Sequence, residues 1–144
     1  MEATETAQTL TILIAEDDDG HAELIQEHLR ESGLNNPMLR FRDGLELMAH
    51  LAGPAGPGAA CLLLLDINMP KLDGLEVLRR LKADPATRAI PIIMLTTTDD
   101  PGEVAASYQL GCNFYIAKPM AFEAFADTLL ALGRFIQVLQ VVRS

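Results

Sequence analysis

Four polar groups in this chain have the types and the placement for phosphoryl chemistry at a metal ion. They are the pair Glu16-Asp17, then Asp66, Thr96 and Lys118. Each follows an apolar run: Thr11–Ala15, Cys61–Leu65, Ile90–Leu95 and Phe114–Ala117. Such runs read as buried parallel strands, and α/β sheets carry their ligand sites at the C-terminal ends of strands. Three carboxylates brought to one sheet edge repel one another. Two unit charges about 4 Å apart cost on the order of 4 kcal/mol at an effective dielectric near 20. A proton or a cation must compensate. Mg2+ suits the set, because it takes hard oxygen ligands and typically combines one or two carboxylates with a phosphate. Asp66 is the candidate phosphoryl acceptor. Lys118 can neutralise the carboxylates and later pair with a phosphoryl oxygen. Thr96 can donate its hydroxyl to the same group. A cis bond at Lys118-Pro119 would turn the ammonium inward. Glu16–Asp19 alone would equally suit a solvated acidic loop; Asp66 at a neighbouring strand end favours a site.

The elements that must position these groups alternate in type. Strands are expected at Leu10–Glu16, Met38–Arg42, Cys61–Asp66, Pro91–Thr96 and Asn113–Ala117. Helices are expected at Asp19–Ser32, Leu45–Leu51, Gly74–Ala83, Pro101–Leu110 and Ala121–Leu132. In the first helix His21, Leu24, Ile25, His28 and Leu29 share one face at helical spacing. Gly33 stops that helix and Asp43 caps the second. Arg40 and Arg42 mark the second strand as an edge. Gly53–Ala60 is a Pro/Gly loop. Helical crossovers between strands imply a doubly wound, five-stranded parallel sheet of flavodoxin-like type, in the order 2-1-3-4-5. Its switch point falls between strands 1 and 3, which end in Glu16-Asp17 and Asp66.

Bulk properties narrow the function classes. A chain of 144 residues with 49% hydrophobic content supports one folded domain. A net charge of −9 argues against sequence-independent nucleic-acid binding and against an anionic membrane surface. Residues 1–9 are polar without a basic residue, and no apolar stretch approaches a membrane span, so a cytoplasmic protein is expected. Cys61 and Cys112 fit no metal spacing and read as buried thiols.

At this point the chain resembles the receiver domains of two-component response regulators. The matching pieces are ILIAEDD, LLLLDINMPKLDG, PIIMLTT and YIAKP, in that order over residues 12–119, with the fold resemblance reaching about residue 132. The resemblance implies phosphorylation of Asp66 by a sensor histidine kinase. It implies Mg2+, with Mn2+ or Ca2+ able to substitute, bound by Asp17, Asp66 and the backbone carbonyl of Asn68. Glu16 stands where many receivers have Asp and would act through water. Thr96 and Lys118 would contact the phosphoryl group, and Tyr115 holds the aromatic switch position that follows Thr96. The first acidic stretch, Gly53–Ala60 and GCNFYIAKPMAFEAF resemble the small stand-alone regulators paired with bacterial phytochromes, which implies a bacteriophytochrome kinase.

Two features depart from the family. Thr98, two residues after Thr96, cannot act as a strong acid or base; with Asn68 it flanks the attacking water in receivers, so slow self-dephosphorylation is expected. Residues 133–144 form an apolar extension to the 10–132 domain, too short for an output domain. Either the fifth helix is long or an arm packs on a partner subunit, and Gly133 with the β-branched residues favours a break followed by an arm. Phe135, Ile136, Val138, Leu139, Val141 and Val142 are expected to pair with a second copy in a homodimer, and signalling to an unknown downstream protein is expected by protein contact. Three rival readings fit less well, and one of them, a phosphorylation-independent adaptor on a receiver fold, would typically lack the site residues that this chain retains. An Asp-nucleophile phosphatase needs an acid where Asn68 stands, and a flavin-binding loop would be repelled by Glu16–Asp19.

Overall fold

Continuous apolar runs leave a strand no polar face, so they can settle only in the middle of a sheet covered on both sides. The computed structural model describes residues 10–53 and 60–143, with side chains through Gln140. The polar stretch 1–9, residues 54–59 of the Pro/Gly loop and the side chains of Val141 and Val142 lie outside what it describes. The strands are β1 (Thr11–Ala15), β2 (Met38–Phe41), β3 (Cys61–Leu65), β4 (Ile92–Thr96) and β5 (Phe114–Ala117). The helices are α1 (Asp19–Glu31), α2 (Gly44–Ala52), α3 (Gly74–Ala83), α4 (Pro101–Leu110) and α5 (Phe122–Arg143). All pairings are parallel, in the order β2-β1-β3-β4-β5. That is the expected doubly wound sheet, with β3 and β4 buried throughout and β2 and β5 as half-exposed edges.

Alternation along each strand divides the core in two. Leu13, Leu63, Leu65, Ile92 and Met94 face one side and meet Leu47, Leu51, Val77, Leu78 and Leu81 of α2 and α3. Ile12, Ile14, Leu62, Leu64, Ile93 and Leu95 face the other and meet Ile25 and Leu29 of α1 and Phe125, Leu129 and Leu132 of α5. Aspartates set the helix starts: Asp18, Asp43, Asp73 and Asp100 each accept a backbone N–H from the first turn of the helix that follows. Gly33 ends α1 with φ +106°, a conformation that costs glycine little. Cys61 and Cys112 are buried as thiols.

The C-terminus corrects one expectation. The helix expected to stop at Leu132 runs on to Arg143, with no break at Gly133. The glycine is there for contact, not for a turn. A Cβ at 133 would stand 2.0 Å from Ser32 Oγ and 2.7 Å from Ser32 Cβ, so only glycine lets α5 cross the end of α1 this closely. Past that crossing, Ile136 is fully buried in the α1/α5 core and Leu139 packs partly against it. Ile136 is therefore core rather than part of an arm. Burying such a side chain stabilises by about 1.5–3 kcal/mol, more than the weak helix preference of the β-branched residues costs. Two amide contacts fasten the same stretch. Gln137 Nε2 donates to Ser32 O at 3.1 Å, and Asn36 and Gln140 exchange reciprocal side-chain bonds of 2.8 and 3.2 Å. Phe135 and Val138, on the opposite side, stay exposed at 37% and 57%.

Candidate functional site

The order reversal between β1 and β3 opens a crevice at their C-terminal ends, and the predicted groups meet there. The Asp66 amide donates to Ala15 O at 3.1 Å, so the ladder continues past both strands and sets Asp66 beside Glu16. Glu16, Asp17 and Asp66 each offer a carboxylate oxygen within 4.8 Å of the others. Glu16 and Asp66 are buried, whereas Asp17 is exposed. From the other side of β3, the Lys118 amide donates to Thr96 O at 2.7 Å, which ties the end of β5 to the end of β4. The Lys118 ammonium lies 2.5 Å from Glu16 Oε1 and 3.5 Å from Asp66 Oδ2, with only 2% of its side chain exposed. The Lys118-Pro119 bond is trans, and the ammonium is turned inward all the same.

Both Glu16 oxygens are engaged. Oε1 takes the Lys118 bond, and Oε2 accepts the Asp18 amide at 3.1 Å. Burial pushes the Glu16 carboxyl up to about 7, against the downward pull of Lys118. Two buried carboxylates, one exposed carboxylate and one ammonium leave an excess of negative charge. This oxygen-rich donor set fits a hard divalent cation.

Thr96 is fully buried at the end of β4, and its hydroxyl has no hydrogen-bond partner among the described residues. An unmet buried hydroxyl is uncommon and costs about 1–3 kcal/mol. The Thr98 hydroxyl accepts the Asp100 amide at 3.2 Å, in the turn that opens α4. Tyr115 is half-buried on β5. Its hydroxyl donates to Thr98 O at 2.7 Å, and burial pushes the phenol up to about 12. Asn68 is exposed two residues past Asp66, and its amide lies 3.4 Å from Asp66 Oδ1. Gly74 N–H donates to Ile67 O at 2.8 Å and folds the start of α3 against the Asp66 strand end.

Two neighbours of the site were not singled out from the sequence. His21 was legible only as one member of the α1 face, yet its Nδ1 lies 3.1 Å from the Lys118 ammonium. Arg40 was legible only as an edge marker. Its Nε donates to Glu16 O at 2.8 Å and its Nη1 to Asp19 Oδ1 at 2.8 Å, which holds the Asp19 carboxyl below its ordinary range. A charged residue on an edge strand beside an acidic loop is the signal that could have marked it.

Away from this edge, an apolar groove of about 470 Å3 runs between β5 and α5, lined by Ile93, Phe114, Tyr115, Ile116, Leu132 and Phe135 among others. Phe114 and Phe135 meet edge to face across it, with ring centroids 5.1 Å apart. Among the described residues, no helix is long and apolar enough to cross a membrane.

Comparison with known proteins is consistent with this geometry. The response regulator receiver domain family matches residues 12–130. Response regulator Rcp1 of Synechocystis is 39% identical over 110 residues, covering 74% of this chain and 75% of its own. The Mn2+-bound form of Rcp1 superposes with a TM-score of 0.80 over 87% of this chain and 92% of that one, at 34% identity. A receiver domain from Rhodospirillum rubrum superposes with a TM-score of 0.85 at 42% identity, over 89% of this chain and 94% of that one. The phosphorylated cyanobacterial phytochrome response regulator RcpA gives 0.81 at 35% identity, over 90% and 94%.

Proposed function

The chain belongs to the response regulator receiver domain family, and on that premise we propose that it accepts a phosphoryl group on Asp66 from a phosphohistidine of a sensor kinase. The observation that carries this reading is the meeting of Glu16, Asp17 and Asp66 within 4.8 Å beside the buried Lys118 ammonium. Receiver domains bind a divalent metal, and the proposed ion here is Mg2+. Asp17, Asp66 and the Asn68 backbone carbonyl would hold it, with Glu16 acting through water. When bound, it supplies positive charge to the phosphoryl oxygens during transfer.

The side chains have separate tasks. An Asp66 carboxylate oxygen attacks phosphorus in line. The bond from phosphorus to the donor imidazole nitrogen breaks, and its electron pair stays on that nitrogen. Lys118 donates to a phosphoryl oxygen, and the unpartnered Thr96 hydroxyl donates to another. A shift of Thr96 moves the loop that carries Thr98. Tyr115 is bonded to that loop, so β5 and the apolar groove feel the change as a shift between two populations. With Thr98 engaged by the Asp100 amide, neither it nor Asn68 supplies a base to an attacking water. The phosphoryl group is therefore long-lived in this reading, and loss within seconds would contradict it.

Signal transfer is proposed to go through protein contact, within the cytoplasm. The exposed Phe114, Phe135 and Val138 form the surface for a second copy. This keeps the homodimer but moves it from a free arm to the outer side of α5 and the β5 edge. RcpA's description as a phytochrome response regulator supports a phytochrome-type kinase as the donor.

The decisive experiment incubates the protein with Mg2+ and acetyl phosphate and follows intact mass, alongside Asp66→Asn. Wild type should gain one base-labile phosphoryl group and the variant none. Equal uptake by both, or none by wild type, would refute the proposal. Comparison of transfer from phytochrome-type and unrelated histidine kinases then tests the donor.

A further inference from the structure

The Lys118 ammonium has three N–H donors and no acceptor. Three acceptors stand around it: Glu16 Oε1 at 2.5 Å, His21 Nδ1 at 3.1 Å and Asp66 Oδ2 at 3.5 Å. Because the ammonium can only donate, the facing His21 nitrogen must be the bare, accepting one. In that hydrogen-bonded form the ring proton sits on Nε2. Its position is fixed independently of Lys118. The His21 amide donates to Asp18 Oδ1 at 2.9 Å, in the first turn of α1. The ring stands edge-on against the buried Phe125 of α5, with centroids 5.7 Å apart and planes at 69°.

We infer that His21 is a positioning residue for phosphoryl transfer. It holds one donor of Lys118 while Glu16 holds a second, which leaves the third directed at Asp66. This rests on the reading that Asp66 receives the phosphoryl group. An imidazole suits the task better than another carboxylate. It fills the donor without adding negative charge to a site that must admit an anion. Its bond is also weaker than the charge-assisted one to Glu16, so the ammonium can adjust as the phosphoryl oxygen arrives. Without His21, Glu16 and Asp66 are the acceptors left around the ammonium among the described residues, one donor is unheld, and the ammonium is free to turn from Asp66.

A packing role and a positioning role predict different results from two substitutions. His21→Leu keeps apolar bulk against Phe125 and removes the acceptor. His21→Asn places an amide oxygen as many bonds from Cα as Nδ1 and keeps it. Initial rates of phosphorylation of the full chain are measured against acetyl phosphate concentration at saturating Mg2+. His21→Leu should slow phosphorylation about tenfold, carried by kcat rather than KM. His21→Asn should recover most of the rate. A His21→Leu rate equal to wild type, or an Asn variant as slow as Leu, would overturn the inference. No uptake by wild type itself would instead remove the premise at Asp66, and this inference with it. A measurement without any variant is the 15N spectrum of the His21 ring in the wild-type protein. It should report the neutral Nε2–H tautomer, and an Nδ1–H tautomer would overturn the assignment.

Discussion

At the C-terminal edge of the sheet, Glu16, Asp66 and Lys118 are buried charges; along the groove between β5 and α5, aromatic and aliphatic side chains face solvent. Glu16, Asp66 and Lys118 are as enclosed as many core residues, while Phe114 and Val138 are about half exposed. A buried charge is tolerated only where partners satisfy it, so the charged edge is closed within the molecule by Lys118, His21 and backbone amides. An apolar surface costs little when exposed but gains when covered, so the groove is open-ended and suited to a partner. The two regions differ in what a substitution should disturb. The edge is brittle because each buried charge there answers another group. The groove should tolerate change within the chain and show its effects between chains.

The largest effect that would sharpen this contrast is Gly74→Ala. A Cβ at 74 would stand 2.2 Å from Asp66 O and 2.8 Å from Ile67 Cα, and backbone cannot yield as a side chain can. A loss of about 3 kcal/mol or more is expected, together with loss of phosphorylation at Asp66, as strand end and helix start are pushed apart. Urea unfolding with phosphorylation assays checks both. A stable, active Gly74→Ala protein would show the edge to be more compliant than its packing implies.

Next comes the pH response of the metal-free protein. Burial raises Glu16 from its ordinary value to about 7, so the folded chain keeps a proton there that the unfolded chain has released. The stabilisation is fully present below the unfolded value, near 4.5, and is lost as pH rises through about 7. In chelator, stability should fall by on the order of 2 kcal/mol between about pH 5 and pH 7.5, and Glu16→Gln should flatten that slope. An unchanged slope in Glu16→Gln would assign the titration elsewhere.

Gly133→Ala is the corresponding close-packing test on α5. Alanine favours helix over glycine by about 1 kcal/mol. The clash with Ser32 should outweigh this and leave a net loss of about 1–2 kcal/mol. The double variant Gly133→Ala/Ser32→Gly should recover stability, which a thermal melt can read. The smallest intrachain effect is expected at the groove itself. Val138→Ser, at an exposed position, should change unfolding by only about 0.5 kcal/mol, while light scattering shows the proposed dimer shifting to monomer. Cutting the chain after Gly133 would be a poor version of this test, because it also removes Ile136 from the core.

The sequence made much of the edge legible because the chemistry resides in residue identity. Asp66, Glu16 and Lys118 each end an apolar run, and parallel strands bring such ends together whatever the loops do. The ends of α1 and α2 were equally legible, through Gly33 and Asp43. What the sequence concealed depended on contacts far along the chain. Gly133 looks the same whether it ends a helix or admits another one, and only the position of Ser32 distinguishes the two. His21 likewise read as one residue of the α1 face, because nothing local says that an ammonium nearly one hundred positions away will lie against its ring.

That separation has a consequence for folding. Lys118 and Glu16 are 102 positions apart, and Asn36 and Gln140 are 104 apart. Closing such long loops is entropically costly and puts these contacts among the slower ones to form. Glu16 and Asp66 can be neighbours once β1 and β3 pair, but they lack their counter-charge until β5 docks. A chain emerging from the ribosome would therefore carry its acidic cluster before its ammonium. Competence for phosphorylation would then report that the whole sheet, and not only its first three strands, has closed.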